Sequence, residues 1–276
     1  MKYIKSMDWL LSHRNDESVR IVDCRFQLGK KDAGYQSYLD DHIENAVYLD
    51  LEKDLSGQVK EHGGRHPLPN LKELSQKLGE LGISKDITVI AYDDQNGAMA
   101  SRLWWLLQYI GHSQSFVLNG SYSLWKDRGY PTSNQIPSFQ KHEFIPVIQP
   151  QLLASVSNVQ GSINSKDINI IDSREERRYL GIEEPIDPVA GHIPGAKHAF
   201  WLDGFEQNGL WKDTASQQSR FSNVEKEKPI IVYCGSGVTA CPNVLALKEA
   251  GFEDVKLYIG SWSDWISYPD NPIEKE

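Results

Sequence analysis

PIIVYCGSGVTACPNVLALKEAGF, residues 229–252, reads as a short apolar strand, a glycine-broken loop and an amphipathic helix. The run before Cys234 is β-rich, while Leu245, Leu247 and Ala250 recur near helical spacing and Gly251 supplies a C-terminal stop. Cys234 stands at the end of the strand and is followed by Gly235-Ser236-Gly237. A thiol that only fills a core needs no side-chain-poor loop after it. Strands alternating with helices predict an α/β fold, a mostly parallel sheet covered by helices on both faces. In such sheets ligands sit beyond the carboxyl ends of the strands, where Cys234 falls.

The chain says most of this twice. RIVDCR at 20–25 matches NIIDSR at 169–174, and DHIENAVYLD at 41–50 matches GHIPGAKHAF at 191–200. TVIAYDD at 88–94 matches PIIVYCG at 229–235, setting Asp93 opposite Cys234, and LNGSYSLW at 118–125 matches YIGSWSDW at 258–265. Four matches in one order predict two homologous tandem domains, 1–138 and 139–276. The unit is far too long for a solenoid repeat. A linker is expected around PTSNQIPSFQKHEFIP (131–146), where prolines and polar residues break the periodicity.

Composition narrows the function classes. With 276 residues, 39% hydrophobic and 24% charged, the chain reads as globular. Its 29 basic against 38 acidic residues give a net charge of −9, which argues against nucleic acid or an anionic membrane as partner. The three cysteines make neither a disulfide framework nor a CxxC metal knuckle. The N-terminus lacks a signal-peptide pattern and no run has the apolar length of a membrane span, so a cytoplasmic location is expected.

The loop after Cys234 suits a sulfur anion. Gly235 and Gly237 let several N–H groups turn inward as an anion nest at a helix N-terminus, with Ser236 and Thr239 adding hydroxyls. A Cys-x5-Arg phosphatase would place arginine at position 240, where this chain has Ala240. Cys24 and Cys241, the paired Trp104 and Trp105, and Trp262 and Trp265 are expected in packing roles.

CGSGVTA resembles the active-site loop of the two-domain rhodanese-like sulfurtransferases, of the mercaptopyruvate sulfurtransferase type. DSR with RYLG (172–181), GHIPGA (191–196), YIGSW (258–262) and SRLWWLLQYIGH (101–112) follow in family order. Thiosulfate-preferring members typically carry basic residues after the cysteine, where Gly235 and Ser236 stand here. The resemblance implies two tandem rhodanese-like domains and a ping-pong transfer. A Cys234 thiolate takes sulfane sulfur from a small anionic donor, 3-mercaptopyruvate or thiosulfate, as a persulfide. It passes the sulfur to cyanide, a thiol or a thioredoxin-like acceptor. The amides of Gly235, Gly237, Val238 and Thr239 are then expected to hold the persulfide, with no metal or organic cofactor. Asp93 marks the first domain as the noncatalytic one. The alternative is a sulfur-carrier or regulatory module without turnover of its own.

The same resemblance assigns supporting residues. Ser236 matches a loop serine, and His66, in HPLP (66–69), matches a histidine that works with it. Glu52, in VYLDLEKDLSG (47–57), stands where aspartate is usual, with Asp50 two residues away. Together they are expected to form a proton relay that protonates the departing enolate carbon or tunes the thiol. Arg178 matches an arginine that binds the donor's anionic end, and Arg174 is expected in a structural ion pair. One departure stands out: near the family's second carboxylate-binding arginine this chain has Asp187, and Arg65 is the residue positioned by sequence to compensate.

Overall fold

The computed structural model describes residues 1–163 and 165–275. It divides into two compact units, and neither is a continuous stretch of chain. The first comprises 1–57, 69–149 and 205–211; the second comprises 58–68, 150–204 and 212–276.

The strands of the first unit are β1 (Ile4–Lys5), β2 (Val19–Asp23), β3 (His42–Ile43), β4 (Ala46–Tyr48), β5 (Thr88–Tyr92), β6 (Ser115–Leu118) and β7 (Thr132–Ser133). Five of them form a wholly parallel sheet in the order β1-β6-β5-β2-β4, while β3 and β7 pair antiparallel. All residues of β2 are buried, as a central strand covered on both faces requires. The helices are α1 (Met7–His13), α2 (Ala33–Asp40), α3 (Leu71–Glu80), α4 (Ala98–Tyr109) and α5 (Tyr122–Asp127). Ser6 caps α1 through the Trp9 amide, and Asn70 caps α3 through the Lys72 and Glu73 amides. Trp104 and Trp105 lie buried on α4.

The second unit repeats the plan. Strands β8 (Asn169–Asp172), β9 (Lys197–His198), β10 (Ile230–Tyr233) and β11 (Val255–Leu257) form a parallel sheet ordered β11-β10-β8-β9. Its helices are α6 (Val156–Gln160), α7 (Glu176–Tyr179), α8 (Thr214–Arg220), α9 (Ala240–Glu249) and α10 (Ser261–Trp265). Among the described residues no helix is long and apolar enough to cross a membrane.

Duplication extends to individual side chains. Ile21, Ile43, Ala46, Ile90, Tyr92 and Trp125 build the core of the first unit; Ile170, Ile193, Ala196, Ile231, Tyr233 and Trp265 do so in the second. A buried Asp23–Arg25 pair closes at 2.7 Å in one, and Asp172–Arg174 at 2.6 Å in the other. The Ile43 amide donates to the Tyr92 hydroxyl at 3.1 Å, as the Ile193 amide does to Tyr233. Each buried ion pair is locked by further hydrogen bonds, the condition under which a buried pair is tolerated.

The stretch expected as a linker is packed instead onto the first unit. Thr132 and Ser133 pair with β3, the Phe139 ring lies 3.3 Å from the Arg20 guanidinium, and Phe144 is buried. The Val147 and Gln149 amides donate to the Ile110 and Tyr109 carbonyls, carrying the unit on to Gln149.

Candidate active site

Cys234 ends β10 and is 1% exposed. Its amide donates to Ser261 Oγ at 3.1 Å, and its carbonyl accepts from the Trp262 amide at 3.0 Å. Ser261 holds this place in the left-handed region, φ +55°, with its hydroxyl passing on to the Tyr258 carbonyl. The Gly237 amide donates to Cys234 Sγ at 3.2 Å, so the loop aims an N–H at the sulfur. Gly237 has φ +75°, and a β-carbon there would strike the Ile259 carbonyl; only glycine fits. Val238 is buried, and Thr239 is the residue before α9. Cys241, inside α9, donates Sγ to the Gly237 carbonyl at 3.3 Å and is fully buried.

Segment 58–68 supplies the rest. It is held on the second unit by Gly63 N to Asp264 Oδ1 (2.7 Å), Arg65 N to Ser263 Oγ (3.1 Å) and the His62 ring stacked on Tyr268 at 4.0 Å. That docking brings His66 Nδ1 to 2.8 Å from Ser236 Oγ, both residues being buried. Ser236 can donate its proton to Nδ1 when the other ring nitrogen carries the hydrogen. Glu52 belongs to the first unit; its side chain is exposed and its amide donates to Asp50 Oδ1.

Arg178, on α7, is not the exposed charge that its run REERR would suggest. Its side chain is 15% exposed against 58% for Arg177, and it pairs with Glu184 at 2.8 Å and Asp187 at 3.1 Å. Arg65 pairs with the other oxygen of Asp187. Both guanidiniums cover Gly235: a β-carbon there would lie 3.0 Å from Arg65 Nη2 and 3.3 Å from Arg178 Nη2. Burial pulls the Arg65 pKa down, and the charge of Cys234 is the largest influence pulling it back up. Arg174 is buried in its ion pair with Asp172, and Trp262 is a core side chain whose Nε1 donates to the Val189 carbonyl.

The equivalent loop of the first unit carries Asp93. Its Oδ1 accepts from the Gln95 and Gly97 amides and its Oδ2 from the Met99 and Ala100 amides, at 2.8–2.9 Å. Two residues of this loop are left-handed: Asn96, φ +52°, in the place of Gly237, and Gly97, φ +72°. This loop geometry is therefore an anion cradle built of main-chain N–H groups. Among the described residues no group of three His, Cys, Asp or Glu side chains is placed to hold a metal ion.

The sequence matches the model of the rhodanese-like domain over residues 6–128 and again over 155–268. It is 38% identical to the probable 3-mercaptopyruvate sulfurtransferase of Pseudomonas aeruginosa, over 96% of this chain and 95% of that one. It is 33% identical to the putative thiosulfate sulfurtransferase SseB of Mycobacterium tuberculosis, over 93% and 91% of the two chains. The fold superposes on the crystal structure of SseA from Escherichia coli, a 3-mercaptopyruvate enzyme, with a TM-score of 0.84 and 32% identity, covering 95% of this chain and all of that one.

Proposed function

The chain belongs to the rhodanese-like family in both halves, and on that footing we propose a sulfurtransferase whose nucleophile is Cys234. The observation that carries the reading is Asp93. A carboxylate oxygen lies two bonds beyond Cβ, as the terminal sulfur of a cysteine persulfide does. The first unit thus holds a carboxylate where the loop of the second is suited to hold a persulfide, and in the second loop the Gly237 N–H already points at the sulfur.

In this mechanism the Cys234 thiolate attacks the sulfane sulfur of the donor. With 3-mercaptopyruvate the C–S bond breaks, its electron pair passes to the enolate of pyruvate, and the proton originally on the donor sulfur ends on the former carbon. Ser236 and His66 form the relay that moves it. With thiosulfate the S–S bond breaks and sulfite leaves, needing no proton. The acceptor, cyanide, a thiol or a thioredoxin-like protein, then attacks the outer persulfide sulfur and the Cys234 thiolate departs. Arg178 anchors the donor's anionic end.

The loop after the cysteine has Gly235 and Ser236 rather than basic residues, and the relay suits a carbon leaving group; both favour 3-mercaptopyruvate. Steady-state thiocyanate formation from cyanide tests this. The expected result is a larger kcat/KM for 3-mercaptopyruvate than for thiosulfate, both abolished in Cys234→Ser. A large excess for thiosulfate would reverse the donor assignment.

A further inference from the structure

Asp187 stands near the place where the family resemblance expects a second donor-binding arginine, and its surroundings are those of a bound anion. Its side chain is 3% exposed and gives one oxygen to each of two guanidiniums: Oδ1 to Arg65 Nη1, Oδ2 to Arg178 Nη2 at 3.1 Å. The Asp187 amide is itself held by Glu184 Oε1 at 3.1 Å, which fixes the backbone behind the carboxylate. One oxygen on each of two arginines is a geometry in which a small carboxylate is recognised with both charge and direction. The two arginines meet over Gly235, the residue that follows the nucleophile.

The charge count leaves little net attraction for a second anion. Glu184 is shared between Arg178 and Arg174, the latter already paired with Asp172. With Asp187 seated, Arg65 and Arg178 face two carboxylates; with Asp187 withdrawn, they face Glu184 alone. Arg178 is one of the charges that depress the Arg65 pKa, so the two cations repel when nothing lies between them.

Resting on the sulfurtransferase reading of the Cys234 loop, we propose that Asp187 is a tethered stand-in for the donor's carboxylate. Arg65 and Arg178 together form the donor-anion site, and the donor enters by displacing Asp187. Arg65 is then the second guanidinium, recruited from segment 58–68. The apparent donor affinity is the intrinsic affinity reduced by the fraction of molecules in which Asp187 has let go.

Calorimetric titration with pyruvate tests this without turnover, because pyruvate carries the carboxylate and no sulfur to transfer. Asp187→Ala is expected to bind pyruvate about tenfold tighter or better than the parent, the scale of one hydrogen bond to a charged group. Asp187→Asn keeps the side chain's size and is expected to move the same way, so the result does not depend on the alanine variant folding. The gain must vanish in Asp187→Ala/Arg65→Ala. Unchanged or weaker binding in both Asp187 variants overturns the proposal, as does a gain that survives loss of Arg65. Persulfide formation at Cys234 in the same proteins is a separate readout: its absence throughout, with pyruvate affinity still raised, would defeat the sulfurtransferase reading and leave the anion site standing.

Discussion

At the residue scale, Gly235 and Gly237, on either side of Ser236, respond differently to a side chain. At Gly237 an added β-carbon meets backbone and a left-handed φ, neither of which can yield. Gly237→Ala is expected to destabilise the second unit by about 1–3 kcal/mol and to draw the amide away from Cys234 Sγ. At Gly235 the neighbours are the far ends of two flexible arginines. Gly235→Ala should therefore melt close to the parent while raising the donor KM, because it pushes Arg65 and Arg178 off the loop; an unchanged KM would remove both from the donor site. The relay gives a second residue-scale prediction. Ser236→Ala and His66→Ala are each expected to lower kcat with 3-mercaptopyruvate about 100-fold and to leave thiosulfate turnover within a few-fold, since sulfite needs no proton. Equal losses on both donors would assign the pair to holding the loop. The place of Cys234 at a strand end was legible in its apolar run, and the Arg174 ion pair in the family resemblance. The pairing of Arg65 with Asp187 was not, because it joins residues far apart in sequence and nothing local announces it. The Asp93 cradle was half-legible: the position could be read off the repeat, its four amide partners could not.

Among elements, β2, β5, β8 and β10 follow from short apolar runs, and α9 from its periodic leucines and Gly251. Residues 131–149 did not, since proline and polar residues mask a few anchoring side chains; Phe139 and Phe144 were the signal, isolated aromatics in a polar stretch, the first half-buried against Arg20 and the second buried beside His112. His112, at the end of the α4 turn, is 2% exposed, and burial pushes its pKa below the ordinary 6.5. Below pH 6.5 the unfolded chain takes up a proton that the folded one refuses, so His112 costs stability progressively as the pH falls from there toward its depressed folded pKa. The Tm of His112→Phe should accordingly fall less between pH 7 and pH 5.5 than that of the parent. Parallel melting curves across that range would show that the ring does not titrate against folding.

For the whole molecule, the duplication was the most legible fact, because four motif matches in order outweigh any single strand assignment. What the repeat conceals is that the compact units exchange segments: 58–68 joins the second and 205–211 the first. Neither segment has a periodicity, so no sequence pattern ties it to its unit. Yet the exchange is what brings His66 to Ser236 and Arg65 to Gly235, around a cysteine whose place in the first unit is taken by Asp93. Sulfur transfer here requires that sulfur to become the cradle's anion. Intact-mass spectrometry of the protein after exposure to 3-mercaptopyruvate, without acceptor, measures it directly. The expected result is an increase of about 32 Da, one sulfur, mapped to Cys234, reversed by cyanide and missing from Cys234→Ser. An unchanged mass in the parent, or an adduct that persists in Cys234→Ser, would contradict it.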